Sequence, residues 1–348
     1  MNAPDAGSQV KTRILIISDT HGADSLPGSE SLCPVDVAIH CGDLTEESKL
    51  AEFHSAVKLI KAIDAPLKLV IAGNHDWTLD TPIFKKKIDE MQGPVDMDLV
   101  RREYGDFGEA RRVLNSAVDD DDAGFVFLDE GTHTFTLANG ALMSVYASPH
   151  TPSAEDWGFQ YDPREGHQWD VGGDVDVVVT HGPPEGVMDR TAPGSRIGCP
   201  GLFGAVARAK PRLHCFGHVH RGWGAKIVRW RPGIGSTATA ATTAAGAEAM
   251  RPSHFTAVDN DGSVVVETLA GLTAGRYDTP DVVEAKRQKL DACMLRGCYL
   301  TSHCAGDQHP LRAGEQTLFV NAAIQGDADW PQHLPWIVDI ELPKARGP

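Results

Sequence analysis

Paired cysteines are missing from this chain. It has seven cysteines, an odd number, and no two of them form a Cys-x-x-Cys pair. A secreted disulfide framework uses an even set at regular spacings, so we do not expect one here. The spacing of Cys293, Cys298, His303 and Cys304 is also too irregular to favour a zinc site. A reducing, cytoplasmic setting fits this cysteine usage.

Basic residues and long apolar runs are scarce as well. The chain has 32 Lys and Arg residues against 48 Asp and Glu residues, a formal net charge of −16, part of it in the acidic run 119–122. A protein that coats DNA or RNA needs a basic face, so general nucleic-acid binding is not expected. No apolar run approaches about 18 residues, which predicts no membrane span. The first residues lack the basic and apolar regions of a signal peptide.

Five short motifs rich in Asp, Asn and His are present, each at or near the end of a candidate strand. Most follow apolar runs, such as 14–18 and 175–179, that are typical of buried parallel strands. Ligands gather beyond the carboxyl ends of such strands, so we expect the motifs to meet at one edge. In chain order they are Asp19-Thr20-His21, Gly42-Asp43, Gly73-Asn74-His75-Asp76, Thr180-His181-Gly182 and Gly217-His218-Val219-His220.

The donor types in these motifs predict a centre of two divalent metal ions. Such a centre needs a carboxylate between ions about 3.5–4 Å apart, and Asp43, which follows Gly42, suits that position. In the Asp-x-His and His-x-His pairs, both side chains would face one side of an extended segment. The mixture of imidazole, carboxylate and amide suits manganese, our first choice, and also iron, zinc, cobalt or nickel. The predicted ligands are Asp19, His21, Asp43, Asn74, His181, His218 and His220.

The predicted catalytic residues are His75 and Asp76. If Asn74 binds a metal, the neighbouring imidazole of His75 points elsewhere. An imidazole beside two cations is well placed to donate a proton to a leaving alkoxide. Asp76 either holds the second nitrogen of that imidazole and sets its tautomer, or caps the turn.

Together these parts predict the hydrolysis of a small phosphate ester. Two metal ions polarise a phosphoryl oxygen and lower the pKa of a bridging water toward neutrality. The resulting hydroxide would attack phosphorus in line, while the ions neutralise the developing charge. The proton on the leaving oxygen would come from His75.

The order and spacing of the five motifs resemble the calcineurin-like metallophosphoesterase superfamily, whose pattern is D-x-H, G-D, G-N-H-[D/E], H and G-H-x-H. Longer stretches are similar to its metallophosphoesterase-domain-containing branch, whose animal members hydrolyse phosphodiesters, including cyclic nucleotides. The resemblance covers about residues 11–224 and 316–343. The stretches that carry it are 17–22, 40–45, 180–184 and 210–217.

The resemblance implies an α/β fold in which a two-sheet β-sandwich is flanked by helices and carries a dinuclear site at strand carboxyl ends. It also implies that His75 is the catalytic acid. Some animal members lack the first His of G-H-x-H, whereas this chain has His218. Where relatives have an aromatic residue, this chain has His150, which either contacts substrate or fills space. The implied ligand sets are Asp19, His21, Asp43 and His220 for one ion, and Asp43, Asn74, His181 and His218 for the other.

We predict one domain over residues 11–343, with an accessory insertion at 225–315. Within the insertion, residues 232–252 are rich in Ala, Thr and Gly and are predicted to be mobile. A helix with Thr45 as N-cap is expected over 45–63. Strands are expected at 133–137 and 142–147, joined as a hairpin across Asn139-Gly140. Further helices are predicted at 201–209 and 280–295, and further strands at 125–128, 319–321 and 336–341.

Several alternatives stay open. The motifs do not separate a phosphodiesterase from a phosphomonoesterase, because that difference lies in the pocket beyond the metals. A non-catalytic scaffold is disfavoured because every ligand is intact, and a repair nuclease is disfavoured by the acidity. The cluster around Trp157 either packs on a loop or stacks on a base, and Arg190 and Arg196 either bind phosphate or lie on the surface. A homodimer is compatible with the sequence, but no feature demands it.

Overall fold

The structure is a computed structural model that describes residues 8–26, 28–118, 124–191, 194–234, 252–327 and 332–346. The acidic run 119–122 and most of the Ala-rich segment predicted to be mobile, residues 235–251, lie outside these ranges. In the described part of the chain, no helix combines the length and the apolar character needed to cross a bilayer.

Strands form the framework and helices occupy the connections between them. The strands are β1 (Gln9–Ile17), β2 (Val37–His40), β3 (Leu67–Val70), β4 (Phe125–Phe127), β5 (Gly131–Thr136), β6 (Leu142–Ser148), β7 (Thr151–Pro152), β8 (Gln160–Tyr161), β9 (Val177–Thr180), β10 (Leu213–Phe216), β11 (Gly224–Trp230), β12 (Val258–Thr268), β13 (Tyr299–Ser302), β14 (Gln316–Asn321) and β15 (Trp336–Pro343). The helices are α1 (Leu50–Lys61), α2 (Thr81–Asp89), α3 (Met97–Tyr104), α4 (Glu109–Val118), α5 (Pro200–Ala209), α6 (His254–Ala257), α7 (Leu269–Leu272) and α8 (Pro280–Arg296).

The strands form two main sheets and the short β7–β8 pair. One sheet has the order β13-β15-β1-β2-β3-β4, and the other has the order β12-β11-β14-β10-β9-β6-β5. Strands β1 to β4 are parallel to one another, and so are β6, β9, β10 and β14. The predicted hairpin is confirmed, because β5 and β6 pair antiparallel. Each sheet therefore has one edge at which the carboxyl ends of its parallel strands meet.

The two sheets pack face to face around a shared hydrophobic core. Ile14 and Ile16 of β1 face this core from one sheet, and Val179 of β9 faces it from the other. The alternate residues Leu15 and Ile17 point to the opposite face of β1 and are buried in other clusters. Both faces of the strand are therefore covered, which explains its unbroken apolar sequence. This arrangement confirms the predicted sandwich flanked by helices.

Helices cover the outer faces of the sandwich. Phe53 of α1 and Leu114 of α4 pack over the first sheet, and Phe203 of α5 packs over the second. Helix α1 begins at Leu50, later than the predicted start at 45. The reason is that the side chain of Thr45 does not cap the helix but donates a hydrogen bond of 2.7 Å to the carboxylate of Asp76.

The segment predicted as an insertion contributes to both sheets. Strands β11 and β12 extend the seven-stranded sheet, and β13 forms one edge of the six-stranded sheet. The predicted helix at 280–295 is confirmed as α8. The assignment of a single domain to residues 11–343 with an insertion at 225–315 stays a prediction.

The two sheets are tied together where the motif-bearing strands end. Ser18 and Ala323 form a parallel bridge between the segments that follow β1 and β14. The backbone N–H of Ile324 donates to the carbonyl of Ser18 at 2.8 Å, and Nδ1 of His181, after β9, donates to the carbonyl of Cys41, after β2, at 2.9 Å. The five motifs therefore converge on one edge of the sandwich.

Candidate metal centre

Asp19, His21 and His220 form the first group of predicted ligands. They come from the segments after β1 and β10, and their ligand atoms lie within 4.8 Å of one another. The Nε2 atom of His220 is 3.3 Å from Asp19 Oδ1, and His21 Nε2 is 4.0 Å from the same oxygen. Asp19 is fully buried, so its carboxylate needs positive partners in place of water.

Asp43, His181 and His218 form the second group, again with ligand atoms within 4.8 Å. His181 Nε2 lies 3.2 Å from Asp43 Oδ2 and 2.9 Å from Asn74 Oδ1. The other ring nitrogen, Nδ1, donates to the carbonyl of Cys41 at 2.9 Å, the usual way in which a protein orients a metal-binding imidazole. The structure thus gathers the amide of Asn74 and this triad around one point.

Asp43 also lies next to the first group. Its Oδ2 atom is 3.9 Å from His21 Nε2, while the same oxygen contacts His181 in the second group. A carboxylate between two sets of donors is the position that a dinuclear centre requires.

Four of the predicted ligands have left-handed backbone conformations. This overturns the expectation that the Asp-x-His and His-x-His pairs lie on extended segments. Left-handed geometry is rare for residues with a side chain and recurs at functional sites. It aims these side chains inward from tight turns that directly follow the strands. The four residues, among eight such non-glycine residues in the described ranges, are Asp19 (φ 55°), His21 (φ 46°), Asp43 (φ 54°) and His218 (φ 64°).

Two motif glycines permit close approach of the turns. Gly42 has φ 98°, and a Cβ atom placed there would lie 2.6 Å from the carbonyl oxygen of Ala72. A Cβ atom at Gly217 would lie 2.0 Å from Oδ2 of Asp19. Any larger residue at either position would push a predicted ligand away, which explains why these motifs contain glycine.

The donor set fits divalent metal ions. Within the described residues, the buried Nε2 atom of His21 has no hydrogen-bond partner, although two carboxylates are close to it. Two ligands bound tetrahedrally at about 2.0–2.2 Å from one ion lie roughly 3.4 Å apart, and the contacts of 3.2 Å and 3.3 Å from the carboxylates to His181 and His220 agree with that spacing. Oxygen and imidazole donors of this kind suit Mn, Fe, Zn, Co and Ni.

The electrostatics of the centre are dominated by carboxylate–imidazole pairs. Burial by itself would lower the pKa of His181, but the charges of Asp43 and Asp19 raise it to about 9. Burial would raise the pKa of Asp19, yet His220 and the other imidazoles hold it well below its usual range. The two carboxylates are thus kept ionised and ready to bind cations.

His75 lies at the mouth of the centre. Its side chain belongs to a group with His21 and Asp43, and its ring meets that of His21 edge-on at a centroid distance of 4.8 Å. The Nδ1 atom is 2.7 Å from the carbonyl oxygen of Glu46 and therefore donates to it. This contact leaves Nε2 as the nitrogen available for proton transfer.

Asp76 does not hold the imidazole of His75, which corrects one of its two predicted roles. Its carboxylate accepts hydrogen bonds from the backbone N–H groups of Gly73, Leu44 and Thr45 at 2.8–3.1 Å. The tautomer of His75 is set instead by the carbonyl of Glu46. Asp76 is fully buried and joins the turns after β2 and β3, so the alternative of a turn-holding residue is the one that the contacts favour.

Several neighbouring residues have structural roles. Trp157 packs on His75 with a centroid distance of 4.4 Å and an interplanar angle of 31°, so its ring supports the imidazole. Arg196 is paired with the buried carboxylate of Asp189 at 2.6 Å. This ion pair favours a structural role at the surface over phosphate binding. The buried His40 contacts Thr20 Oγ1 at 2.9 Å and lies behind the ligand-bearing turns.

Sequence reasoning missed two acidic residues near histidines. Glu46 follows the Gly-Asp motif, and its carboxylate lies 2.8 Å from Nδ1 of His21. Glu130, His150 and His167 form a separate cluster. Of these three residues, the sequence indicated only His150. No spacing pattern could have revealed the cluster, because residues 130, 150 and 167 are brought together only by the fold.

The sequence model of the family described as calcineurin-like phosphoesterase matches residues 12–222, which is more than half of the chain. The chain therefore belongs to the calcineurin-like phosphoesterase family, and the resemblance predicted from the five motifs is confirmed. Members of this family use divalent metals.

The chain is also similar to individual proteins. The chain is 29% identical over 221 residues to metallophosphoesterase domain-containing protein 1 of Homo sapiens, covering 61% of this chain and 62% of that protein. It is 30% identical over 220 residues to a probable rhamnogalacturonate lyase C of Emericella nidulans, covering 63% of this chain and 18% of that protein. The chain thus spans less than two thirds of each relative. A solved purple acid phosphatase from yellow lupin seeds is 13% identical, with a TM-score of 0.36, covering 66% of this chain and 41% of that chain.

Proposed function

We propose that this protein is a metal-dependent hydrolase of phosphate esters that acts on phosphodiesters, with cyclic nucleotides among the candidate substrates. The observation that carries the proposal is the shared position of Asp43, whose carboxylate faces both His21 and His181. In the proposed assignment, one ion is held by Asp19, His21, Asp43 and His220, and the other by Asp43, Asn74, His181 and His218.

When bound, two divalent ions would supply Lewis-acid activation of the phosphoryl group and of a water. The chain itself contributes positioning and proton transfer. His75 donates a proton from Nε2 to the leaving oxygen, because Nδ1 is already engaged by the carbonyl of Glu46. Trp157 limits the rotation of that imidazole by packing on its face, and Asp76 holds the turn from which His75 projects.

The space beside the centre supports a substrate larger than inorganic phosphate. A cavity of about 660 Å³ is lined by Asp19, His21, Glu46 and Gln325. A cavity of this size lies in the range of ordinary small-molecule sites, about 300–1,000 Å³. The similarity to the metallophosphoesterase-domain-containing branch favours a diester as the substrate that occupies it.

Other parts of the proposal rest on the sequence. Manganese is the first choice for both ions, with iron, zinc, cobalt or nickel as alternatives. A small phosphate ester is the proposed partner, and the net charge of −16 argues against general nucleic-acid binding. A cytoplasmic location stays a prediction, and a homodimer is compatible with the sequence without being demanded by it.

The proposal is tested by the hydrolysis of bis-p-nitrophenyl phosphate and of p-nitrophenyl phosphate by the manganese-loaded protein. We expect the protein to hydrolyse the diester, and to do so faster than the monoester. Asp43→Ala should lose both activities. Preference for the monoester would identify a phosphomonoesterase. Absence of turnover by a protein shown to hold two metal ions would favour a scaffold. A positive diester result would be followed by a screen of cyclic nucleotides.

A further inference from the structure

A second cluster of metal-ligand side chains lies outside the centre described above. Glu130 follows β4, His150 follows β6, and His167 lies in the loop that leads to β9. One ligand atom from each residue lies within 4.8 Å of the other two. His167 Nε2 is 2.7 Å from Glu130 Oε1, and His150 Nε2 is 3.4 Å from Glu130 Oε2. Each oxygen of the carboxylate therefore contacts one of the two imidazoles.

The orientation of His150 is that of a metal-binding imidazole. Its Nδ1 atom is 3.3 Å from the carbonyl oxygen of Phe159. A carbonyl only accepts, so Nδ1 carries a proton, and Nε2 is the nitrogen that faces Glu130. Backbone carbonyls hold metal-binding histidines in this way, with the other nitrogen directed at the ion.

The contact between His150 and Glu130 also has the spacing of two ligands of one cation. Donors bound tetrahedrally at about 2.0–2.2 Å from one zinc ion lie roughly 3.4 Å apart. The His150–Glu130 contact of 3.4 Å agrees with that spacing. The His167–Glu130 contact of 2.7 Å is a direct hydrogen bond, which an ion bound to both residues would replace. The two imidazole rings pack against each other, 4.5 Å apart between centroids with an interplanar angle of 35°.

Aromatic residues fix the other sides of the cluster. The hydroxyl of Tyr146 donates to Glu130 Oε1 at 3.1 Å. Tyr161 stacks on His167 at a centroid distance of 5.2 Å, and Trp169 meets the same imidazole edge-on at 4.7 Å. Such contacts restrict the rotamers of the three candidate ligands before any ion binds, which favours affinity.

We propose that Glu130, His150 and His167 form a further divalent-metal site, separate from the dinuclear centre. A carboxylate with two imidazoles is a donor set for zinc, iron(II), cobalt or nickel, and three protein ligands leave coordination positions open. The side chains are 31%, 29% and 18% exposed in that order, so an ion can enter from solvent. His167 also lines a cavity of about 490 Å³.

An ion at this site would fasten the loop that supports His75. Its ligands come from the ends of β4 and β6 and from the loop after β8, and Phe159 is tied to His150. Phe159 belongs to the segment 153–159 between β7 and β8. That short loop also carries Trp157, which packs on His75, and Gly158, whose N–H donates to the carbonyl of Asn74 at 3.0 Å. The site is therefore linked through one short loop to two residues of the centre.

The test is the number of metal ions per chain. The protein is loaded with zinc, freed of unbound metal by gel filtration and measured by mass spectrometry of the metal. His167→Gln and His150→Gln should each lose one equivalent relative to the unsubstituted protein. His54→Gln is the matched control, because His54 is an exposed histidine on α1, and it should retain the full content.

Measuring zinc in the Asp43→Ala variant separates this site from the proposed dinuclear centre. We expect the zinc that Asp43→Ala still binds to include one equivalent, and this equivalent should be absent from the double variant Asp43→Ala/His167→Gln. Equal metal content in the cluster variants and in His54→Gln would overturn the proposal and leave a hydrogen-bonded triad. Circular dichroism verifies folding, and Glu130→Gln, which preserves the shape of the side chain, replaces any variant that fails to fold. Neither result depends on whether the protein hydrolyses phosphate esters.

Discussion

Two clusters of histidine and carboxylate side chains occur in this protein, and they are built in different ways. The proposed dinuclear centre draws its residues from the ends of five strands in both sheets, and its carboxylates are buried. The cluster of Glu130, His150 and His167 lies at one end of the sandwich and remains partly exposed. The first takes its residues from buried turns of both sheets, whereas the second takes its residues from three partly exposed segments after β4, β6 and β8.

The two clusters also differ in backbone strain. Four of the seven predicted ligands of the proposed dinuclear centre have a left-handed backbone conformation. In the described ranges, none of the three residues of the second cluster has a positive φ. Strained positions cost about 1–3 kcal/mol each and persist only when the surrounding structure imposes them. The comparison indicates that the dinuclear centre is preorganised by the fold, and that the second cluster is held by side-chain contacts.

Removal of the shared carboxylate should have the largest effect. Asp43→Ala deletes the contacts to both His21 and His181, so we expect loss of metal and a fall in diester turnover of roughly 10³-fold, the upper range for one electrostatic group. Glu130→Gln should leave turnover within about tenfold, the lower range for residues that act through others. Steady-state kinetics and metal analysis of both variants measure the contrast. Similar losses in the two variants would contradict it.

Loss of the proposed acid should have the next largest effect. His75→Ala is expected to lower turnover about 10²–10⁴-fold on a diester with a poor leaving group, while both metals stay bound. An activated nitrophenol leaving group needs little protonation, so the loss there should be smaller. His54→Gln is the control for a histidine far from the chemistry. Full activity of His75→Ala on the poor leaving group would show that the acid is another group.

Glycine-to-alanine substitutions compare how much stability each of the two regions loses when a side chain is added. Gly42→Ala places a Cβ 2.6 Å from the carbonyl of Ala72 and should destabilise the protein by about 3 kcal/mol. Gly166→Ala, next to His167, has φ 73° but meets no atom within 4 Å, so it should cost only about 1 kcal/mol. Urea unfolding of both variants measures the difference. Equal costs would mean that the turn at Gly42 relaxes freely.

Removal of the aromatic support should have the smallest effect. Trp157→Ala deletes the ring that packs on His75, and a pair of aromatic rings contributes about 0.5–1.5 kcal/mol beyond its buried area. We therefore expect turnover to fall about twofold to tenfold at unchanged metal content. Trp157→Phe retains an aromatic face and should recover most of the activity. A loss as large as that of His75→Ala would instead place Trp157 in contact with substrate.

The strand framework and the motif residues could be predicted from the sequence because local signals define both. Unbroken apolar runs such as that of β1 occur where both faces of a strand are covered, and each motif follows its strand directly. The prediction of an extended Asp19–His21 segment was wrong because left-handed turns depend on contacts between loops, such as the hydrogen bond from the N–H of Asp19 to the carbonyl of Gly42.

The later start of α1 and the role of Asp76 could not be predicted for the same reason. Thr45 has the chemistry of an N-cap, but Asp76, which is 31 positions away, accepts its hydroxyl hydrogen bond. Propensity rules consider only residues that are near in the sequence. Here the hydroxyl of Thr45 bonds to a buried carboxylate from a distant part of the chain instead of to the backbone N–H groups of the helix.

By itself, the sequence determined the family, the apolar strands and the identities of the predicted ligands, because residue types and spacings carry that information directly. Only the tertiary structure decided that the carboxylate of Asp43 lies between His21 and His181, that Glu46 rather than Asp76 sets the tautomer of His75, and that Glu130 meets two distant histidines. Distances between side chains depend on how turns from different strands pack, and packing involves residues that are far apart in the chain.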